Sequence, residues 1–431
     1  MKKWLLLTLL VATASAHDMG VGTDLAAEAG LFPSFDEVRT AMAAAGQHPN
    51  IQLFTVGQTA SGDPVEVAEI VIGDAPREER TTTFLMTQQH GNEPAGTPAA
   101  LQILANVQAG ELDDVLASQV LLVLPMANPD GATANSRANK DGMDINRDHI
   151  GLETDEARAI HAVLNQWDVH VAVDHHEYGG TGIGYPSPVR FYDFDLTTMF
   201  PNHGNVAPDV RAMAESLIYD GVWPHMQAQG YSTGDYGVQT VAGIPVQQTA
   251  GGPDPGILRN AFGLNNVIGF LAESYVGLDA NPLHDAARRE AIHLETMLAT
   301  LQYVADNGPA IQSAKLAAAS ANQAKLMPQY VEGDSQAALP EAFMGANVDD
   351  LMALHGLPMG HPGEDGTVYN MLHERQGLLA AILAPASSRA VGPYEATDAF
   401  SSPAAAESEE TPAVLGLACL GLAALVCRRN Q

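Results

Sequence analysis

Between residues 33 and 75 the apolar positions first recur at helical spacing and then alternate. Phe35 to Ala45 reads as a helix. Ile51 to Val56 and Val65 to Val71 read as two strands joined at the turn Ala60-Ser61-Gly62-Asp63. Short apolar runs then alternate with helical stretches. Thr82 to Met86 predicts a strand, followed by a helix with Thr97 as N-cap, Pro98 in its first turn and an end at Val107. Gln119 to Leu124 predicts the next strand. Thr154 caps a helix with Asp155 and Glu156 in its first turn, running to Trp167, and Val169 to Asp174 predicts another strand. Tyr178 to Asp209, rich in glycine, proline and aromatic residues, has no period and reads as a long loop. A helix near Asp209 to Gln229, an irregular stretch to Asn266, a strand from Val267 to Ala272 and a helix from His284 to Ala305 complete the unit. This alternation predicts an α/β fold: an open mixed, mostly parallel sheet with helices on both faces.

The flanks differ in character. Lys2 and Lys3, the apolar run Trp4 to Ala12 and Ala14-Ser15-Ala16 predict a secretory signal over residues 1–16. Residues 31–306 form the expected catalytic domain. No inhibitory prodomain is expected before Leu31. Residues 307–400 are Ala-rich and less patterned and read as a small accessory region, and 401–411 as a small, acidic linker. The apolar run Pro412 to Cys427, followed by Arg428-Arg429, makes 412–431 an anchor or sorting tail that would associate with a membrane. The two cysteines, Cys419 and Cys427, both lie in that tail, so the catalytic region relies on its core without a disulfide. The net charge of −31 excludes nucleic acid as a partner. It is spread along the chain, as a solubility or salt adaptation would be.

The chemistry gathers at strand ends, where open α/β sheets bind ligands. The first strand of the alternating series leads into His90-Gly91-Asn92-Glu93-Pro94, whose Gly and Pro hold a loop. The strand ending at Asp174 leads into His175-His176-Glu177. Side chains alternate along an extended chain, so His176 shares a face with Asp174 and His175 points away. His90, Glu93 and His176 are therefore candidate ligands of an open three-ligand metal site, with Asp174 orienting it from behind. Asn128-Pro129-Asp130-Gly131 is a turn directly after a strand. Beyond it come Arg137, Asn146 and Arg147, whose guanidinium groups could clamp a carboxylate. Glu273 ends an apolar strand, where a carboxylate is costly to bury unless paired or functional, and is a candidate general base.

Taken in order, these motifs resemble the carboxypeptidase A-like zinc metallocarboxypeptidases, in the form of a bacterial exported member. The resemblance spans roughly Leu31 to Ala305. It implies one zinc held by His90, Glu93 and His176. Arg137 would polarise the scissile carbonyl, Asn146 and Arg147 would grip the terminal carboxylate, and Glu273 would be the base acting on the metal-activated water. The implied substrate is a peptide with a free C-terminus. Asn92 stands where many members carry an arginine. Tyr231 and Tyr236 are the candidates for a substrate-closing tyrosine. Arg259, 14 residues before Glu273, falls where the family sets side-chain preference, and would favour an acidic side chain or bind the terminal carboxylate. Two other readings stay open. One is a zinc amidase or deacylase on the same fold, acting on peptidoglycan stem peptides or acyl amino acids. The other is a non-catalytic, zinc-stabilised binding module, against which Glu273 argues.

Overall fold

A computed structural model describes residues 30–179, 189–190, 194–236, 238–241, 244–247, 252–277, 281–324, 329–331, 335–337, 342–345, 348–363, 366–370 and 372–383. The signal, linker and tail segments expected at the two ends lie outside these residues. Among the described residues, no helix is long and apolar enough to cross a membrane.

The chain opens with α1 (Phe35–Ala45), whose N-cap Ser34 accepts from the Glu37 amide while the Glu37 side chain bonds back to Ser34, a reciprocal cap. Strands β1 (Ile51–Gln58), β2 (Pro64–Val71) and β3 (Thr81–Thr87) follow, then α2 (Gly96–Gln108), α3 (Asp113–Leu116), β4 (Gln119–Leu124), α4 (Pro129–Ala134) and α5 (Asp155–Gln166). Next come β5 (Val171–Gly179), β6 (Val189–Arg190), β7 (Leu196–Met199), α6 (Pro208–Ser216), a π-helical stretch (Leu217–Val222), α7 (Trp223–Ala228), β8 (Thr233–Asp235), β9 (Val238–Val241) and β10 (Ile244–Gln247). The sheet-bearing part of the chain finishes with α8 (Leu258–Leu264), β11 (Ile268–Val276) and α9 (Pro282–Ala324).

Eight strands form one open mixed sheet in the order β1-β2-β4-β3-β5-β11-β7-β8. Its centre, β4-β3-β5-β11, is parallel throughout, and antiparallel pairs join β2 to β4 and β7 to β11. The central strands are buried nearly end to end, as a sheet covered on both faces requires. α9 packs against β3 and β11 on one side together with α2 and α6, while α8 packs on β5 and β11. This is the expected α/β architecture.

Several expected boundaries move, each for a physical reason. Thr97 lies inside α2 rather than at its cap, and its hydroxyl donates to Gln88 Oε1 at 2.6 Å. The helix starts earlier because the Ala95 amide finds a different acceptor, Glu177 Oε1, at 2.7 Å. β5 and β11 both run past the apolar segments that announce them. His175, His176, Glu177 and Glu273 are within the strands, paired Glu273 with His176 and Ser274 with Glu177. The long stretch expected as loop contains β7, which pairs with β11, and α8 occupies part of the stretch expected to be irregular.

α9 continues across the boundary expected at residue 306, through Pro309 to Ala324. An interior proline costs about 3 kcal/mol through its missing N–H and its clash with the preceding turn. Packing offsets that cost here, since Ile311 and Ala318 are buried beyond it. The later segments α10 (Asp349–Leu354) and α11 (Gln376–Leu383) join the same apolar core through Leu351, Met352, Leu378 and Leu379. Polar ties reinforce this. Arg375 donates to Asn265 Oδ1 at 3.1 Å and to the His355 carbonyl at 2.8 Å. His355 Nε2 donates to the Ile150 carbonyl at 3.0 Å, and its ring meets His161 edge-on at 5.0 Å between centroids.

Burial pushes His355 down to about 4, so it is neutral in the folded protein. The unfolded chain takes up that proton near pH 6.5, so stability from this group is complete above pH 6.5 and lost as pH falls toward 4. Comparing unfolding free energies of the wild type and His355→Gln from pH 7 to pH 4 should shift the balance toward the variant by up to about 3 kcal/mol. A difference that does not change with pH would contradict a buried neutral His355.

Candidate metal centre

The parallel register carries both histidines to one end of the sheet. Thr87, the last residue of β3, pairs with His175 of β5. The chain then turns sharply through Gln88, a non-glycine residue held at φ 55°, which an L side chain adopts only when its surroundings enforce it. Here they do. Gln88 Nε2 donates to the Gly91 carbonyl at 2.9 Å and the Asn128 amide donates to the Gln88 carbonyl at 3.2 Å. Asn128 caps α4 through its Oδ1, and its Nδ2 donates to the Gln89 carbonyl at 3.2 Å. The helix sits so close that a Cβ on Gly91 would lie 1.9 Å from the Gly131 carbonyl carbon.

This loop brings His90 and Glu93 against His176. Glu93 Oε1 lies 2.8 Å from His90 Nδ1, Glu93 Oε2 lies 2.7 Å from His176 Nδ1, and the two Nδ1 atoms are 2.9 Å apart. Ligand atoms of these three residues all fall within 4.8 Å of one another, and among the described residues this is the one such group found. All three are largely buried, and His176 is 1% exposed. His175 faces the other way and meets His293 of α9, Nδ1 to Nδ1, at 3.0 Å.

Acids stand behind each imidazole. Asp174 Oδ2 is 2.8 Å from His176 Nε2, and Asp144 Oδ1 is 3.2 Å from His90 Nε2. A carboxylate beside Nε2 fixes the proton there and leaves Nδ1 with its lone pair toward the cluster. Burial opposes a charge on His176, yet Asp174 and Glu93 hold its pKa well above the ordinary value. Burial likewise opposes ionisation of Glu93, and the two imidazoles outweigh it and hold its carboxyl well below the usual range. The pocket therefore stabilises positive charge where the Nδ1 atoms meet. Two imidazoles and one carboxylate in an open arrangement are the donor set of a catalytic zinc site, so these residues fit that ion.

The remaining candidates surround this point unequally. Glu273 sits opposite His176 in the sheet and is 7% exposed. Burial, reinforced by Glu93 and Asp174, pushes its carboxyl up to about 8. Arg137, half exposed, bonds Asp144 through Nε at 3.0 Å and brings its NH1 to 3.1 Å from His90 Nδ1 and 3.5 Å from Glu93 Oε1. Asn146 is buried and engaged at both ends. Its Oδ1 accepts from the Leu258 amide at 2.9 Å and its Nδ2 lies 3.2 Å from His176 Nε2. Arg147 donates to the Asn146 carbonyl at 2.6 Å. Arg259, on α8, is 1% exposed. It donates to the Gly252 carbonyl at 2.9 Å, and its buried Nε has no partner among the described residues. Burial lowers it to about 10. The negative charge of Glu273, then burial, holds the Tyr236 phenol well above its usual range, and Arg259 acts on it in the opposite sense. Tyr231 instead feels Glu295 and Asp195, beyond burial. Tyr236 is thus the tyrosine near the centre. Asp144, Gln89 and His149 also belong to this network without having been singled out for it. Their one signal in the sequence is polarity adjoining the motifs: Gln89 beside His90, and Asp144 two residues before Asn146.

Comparison with known proteins places this geometry. Residues 38–182 match the family model for zinc carboxypeptidases. The matched stretch contains His90, Glu93, Arg137, Asn146, Arg147 and His176 and ends before Arg259 and Glu273. The chain is 29% identical over 238 residues to carboxypeptidase 2 of Trichophyton tonsurans, covering 54% of this chain and 44% of that protein. It is 32% identical over 104 residues to carboxypeptidase SOL1 of Arabidopsis thaliana, covering 22% of this chain and 21% of that one. The chain spans less than half the length of these curated relatives, and their fungal and plant origins lend no support to a bacterial source. Among solved structures, a metallo-carboxypeptidase of Pseudomonas aeruginosa aligns with 65% of this chain and 71% of its own, at 15% identity and a TM-score of 0.49.

The close approach at Gly91 makes a direct test of how the loop is held. Gly91→Ala should lower stability by about 2–3 kcal/mol, because neither α4 nor the loop can recede without breaking the Asn128 contacts. Thermal unfolding checks this, and a wild-type midpoint would show that the approach is not a constraint.

Proposed function

We propose that this chain is a zinc-dependent carboxypeptidase acting on peptides with a free C-terminal carboxylate. The observation that carries the proposal is the convergence of His90 Nδ1, Glu93 and His176 Nδ1 beside a buried Glu273. Zinc bound by these three residues would supply Lewis acidity toward a carbonyl and acidify the attacking water. The match of residues 38–182 to zinc carboxypeptidases supports the same reading.

The protein groups have separable roles. Glu273, with its pKa raised by burial toward neutrality, takes a proton from the attacking water and returns one to the leaving amine. Arg137 is held at the edge of the cluster by Asp144, where its remaining N–H groups can meet a developing oxyanion. Arg147 and Arg259 supply cations for substrate carboxylates. Among the described residues Arg259 has no carboxylate hydrogen-bond partner, and a buried cation of that kind is stabilised by an anionic ligand. Asn146 acts from the framework, holding the start of α8 through the Leu258 amide. Export forms part of the proposal and rests on the sequence of residues 1–16; membrane association rests likewise on residues 412–431.

Purified protein should carry one zinc, and His176→Ala should lose it; stoichiometric zinc in that variant would refute the ligand assignment. Glu273→Gln should keep the zinc and lower kcat by about 10²–10⁴-fold. Blocked dipeptides with free C-termini should be cleaved and their amides should not. Equal cleavage of both would sink the carboxypeptidase reading, and activity confined to muropeptides or acyl amino acids would replace it with an amidase.

A further inference from the structure

Behind His176 the hydrogen bonds do not stop at Asp174. Gln89 Nε2 donates to the same oxygen, Asp174 Oδ2, at 2.9 Å. His149 Nε2 lies 2.6 Å from Gln89 Oε1. All four residues are buried, Asp174, Gln89 and His149 at 0% exposure. The polarity of this chain can be read from its ends. Asp174 is a carboxylate, so both Gln89 Nε2 and His176 Nε2 donate to it. The Gln89 amide is thereby oriented with Oε1 toward His149, which must then donate through Nε2–H. Among the described residues His149 Nδ1 has no partner, consistent with a neutral ring that burial holds down at about 3. Asp174 Oδ1 also has none, so the carboxylate is held through Oδ2 alone.

We propose that Gln89 and His149 are positioning residues for the metal centre: they hold the Asp174 carboxylate in the orientation that keeps the His176 proton on Nε2 and its Nδ1 lone pair toward Glu93 and His90. The proposal rests on the zinc reading of that cluster. Its physical content is a directional relay, His149 N–H to Gln89, Gln89 N–H to Asp174, with His176 N–H converging on the same oxygen. In a buried site such bonds polarise one another, and an unmade one costs more than in water. Without the Gln89 amide, Asp174 keeps only the His176 proton as donor. The carboxylate then rotates toward other donors, and the ring follows it. The stacking of His149 on His161, at 5.5 Å between ring centroids and 23° between planes, holds the far end of the relay.

The test is zinc affinity, measured by competition with a chromogenic chelator on the full chain, with folding of each metal-free variant followed by circular dichroism. Gln89→Met, similar in length and unable to donate, should bind zinc about 10-fold or more weakly. His149→Phe keeps the ring packing and removes the donor, and should weaken binding in the same direction. His149→Gln, which restores an N–H donor, should recover most of the loss, a rescue that a purely packing role would not produce. Gln89→Met combined with His149→Phe should weaken zinc binding less than the two single effects combined, because both act through one bond. Affinities equal to wild type in folded Gln89→Met and His149→Phe would overturn the inference, as would equal losses in His149→Phe and His149→Gln. Should Gln89→Met fail to fold, the His149 pair decides alone. A wild-type protein that binds no zinc would instead strike at the proposed function, so the two failures are distinguishable.

Discussion

The pairing of β3, β5 and β11 in parallel sets the terms for the whole centre. Parallel strands begin at one end of a sheet and finish at the other, so residues near their C-terminal ends gather although they lie far apart in the chain. Thr87 pairs with His175 and Glu273 with His176. A register slip of one residue in β5 would exchange the two histidines, sending His176 toward His293 and leaving His175 against Glu93. The apolar residues packed along these strands, among them Phe84, Leu85, Val171, Val173, Phe270 and Ala272, specify the register. The burial of hydrophobic side chains and the placement of polar ones are thus one constraint.

That coupling explains what was legible in the sequence. Strand cores announce themselves as apolar runs, and side-chain alternation along β5 separated His176 from His175 without any tertiary information. The cap Thr154 is legible because its partner, the Ala157 amide, is local. The strand ends were harder. His175-His176-Glu177 and Glu273 look like the polar edge of a strand, yet the hydrogen-bond ladder continues through them because neighbouring strands pair there. Thr97 looked like a cap, and only a long-range acceptor, Glu177, shows why the helix begins before it.

The end of α9 departs from the local signal for a related reason. Asn307-Gly308-Pro309 carries the local signature of a helix end, and α9 runs through it. Gly308 passes against the start of β3, where a Cβ would lie 2.9 Å from Thr81 Oγ1. Ile311 is buried one turn later. Tertiary packing outweighs the local preference, so the helix carries the chain onward to the segments that cover α8. That cover matters to the site. α8 presents Arg259, and its first residue, Leu258, donates to Asn146 behind His176. Arg375 and Glu374 tie the loop after α8 to the C-terminal segment through Asn265 and Asn266.

The centre also shows how burial and charge are balanced. Glu93, Asp144 and Asp174 crowd two largely buried imidazoles, and Arg137, Arg147 and a proton or cation at the Nδ1 atoms oppose them. Among apolar neighbours alone these carboxylates would be protonated. Glu93 and Asp144 stay ionised because each is assigned donors: Asp144 has Arg137 and the Asn146 amide, and Glu93 has the Glu177 amide and both imidazoles. Glu273, beside them, has no such set among the described residues, and its carboxyl rises instead. The same field that favours a cation at the histidines therefore leaves one neighbouring carboxyl close to neutrality. Two opposite protonation preferences at paired positions of neighbouring strands come from how donors are distributed, and they are what proton transfer beside a Lewis acid requires.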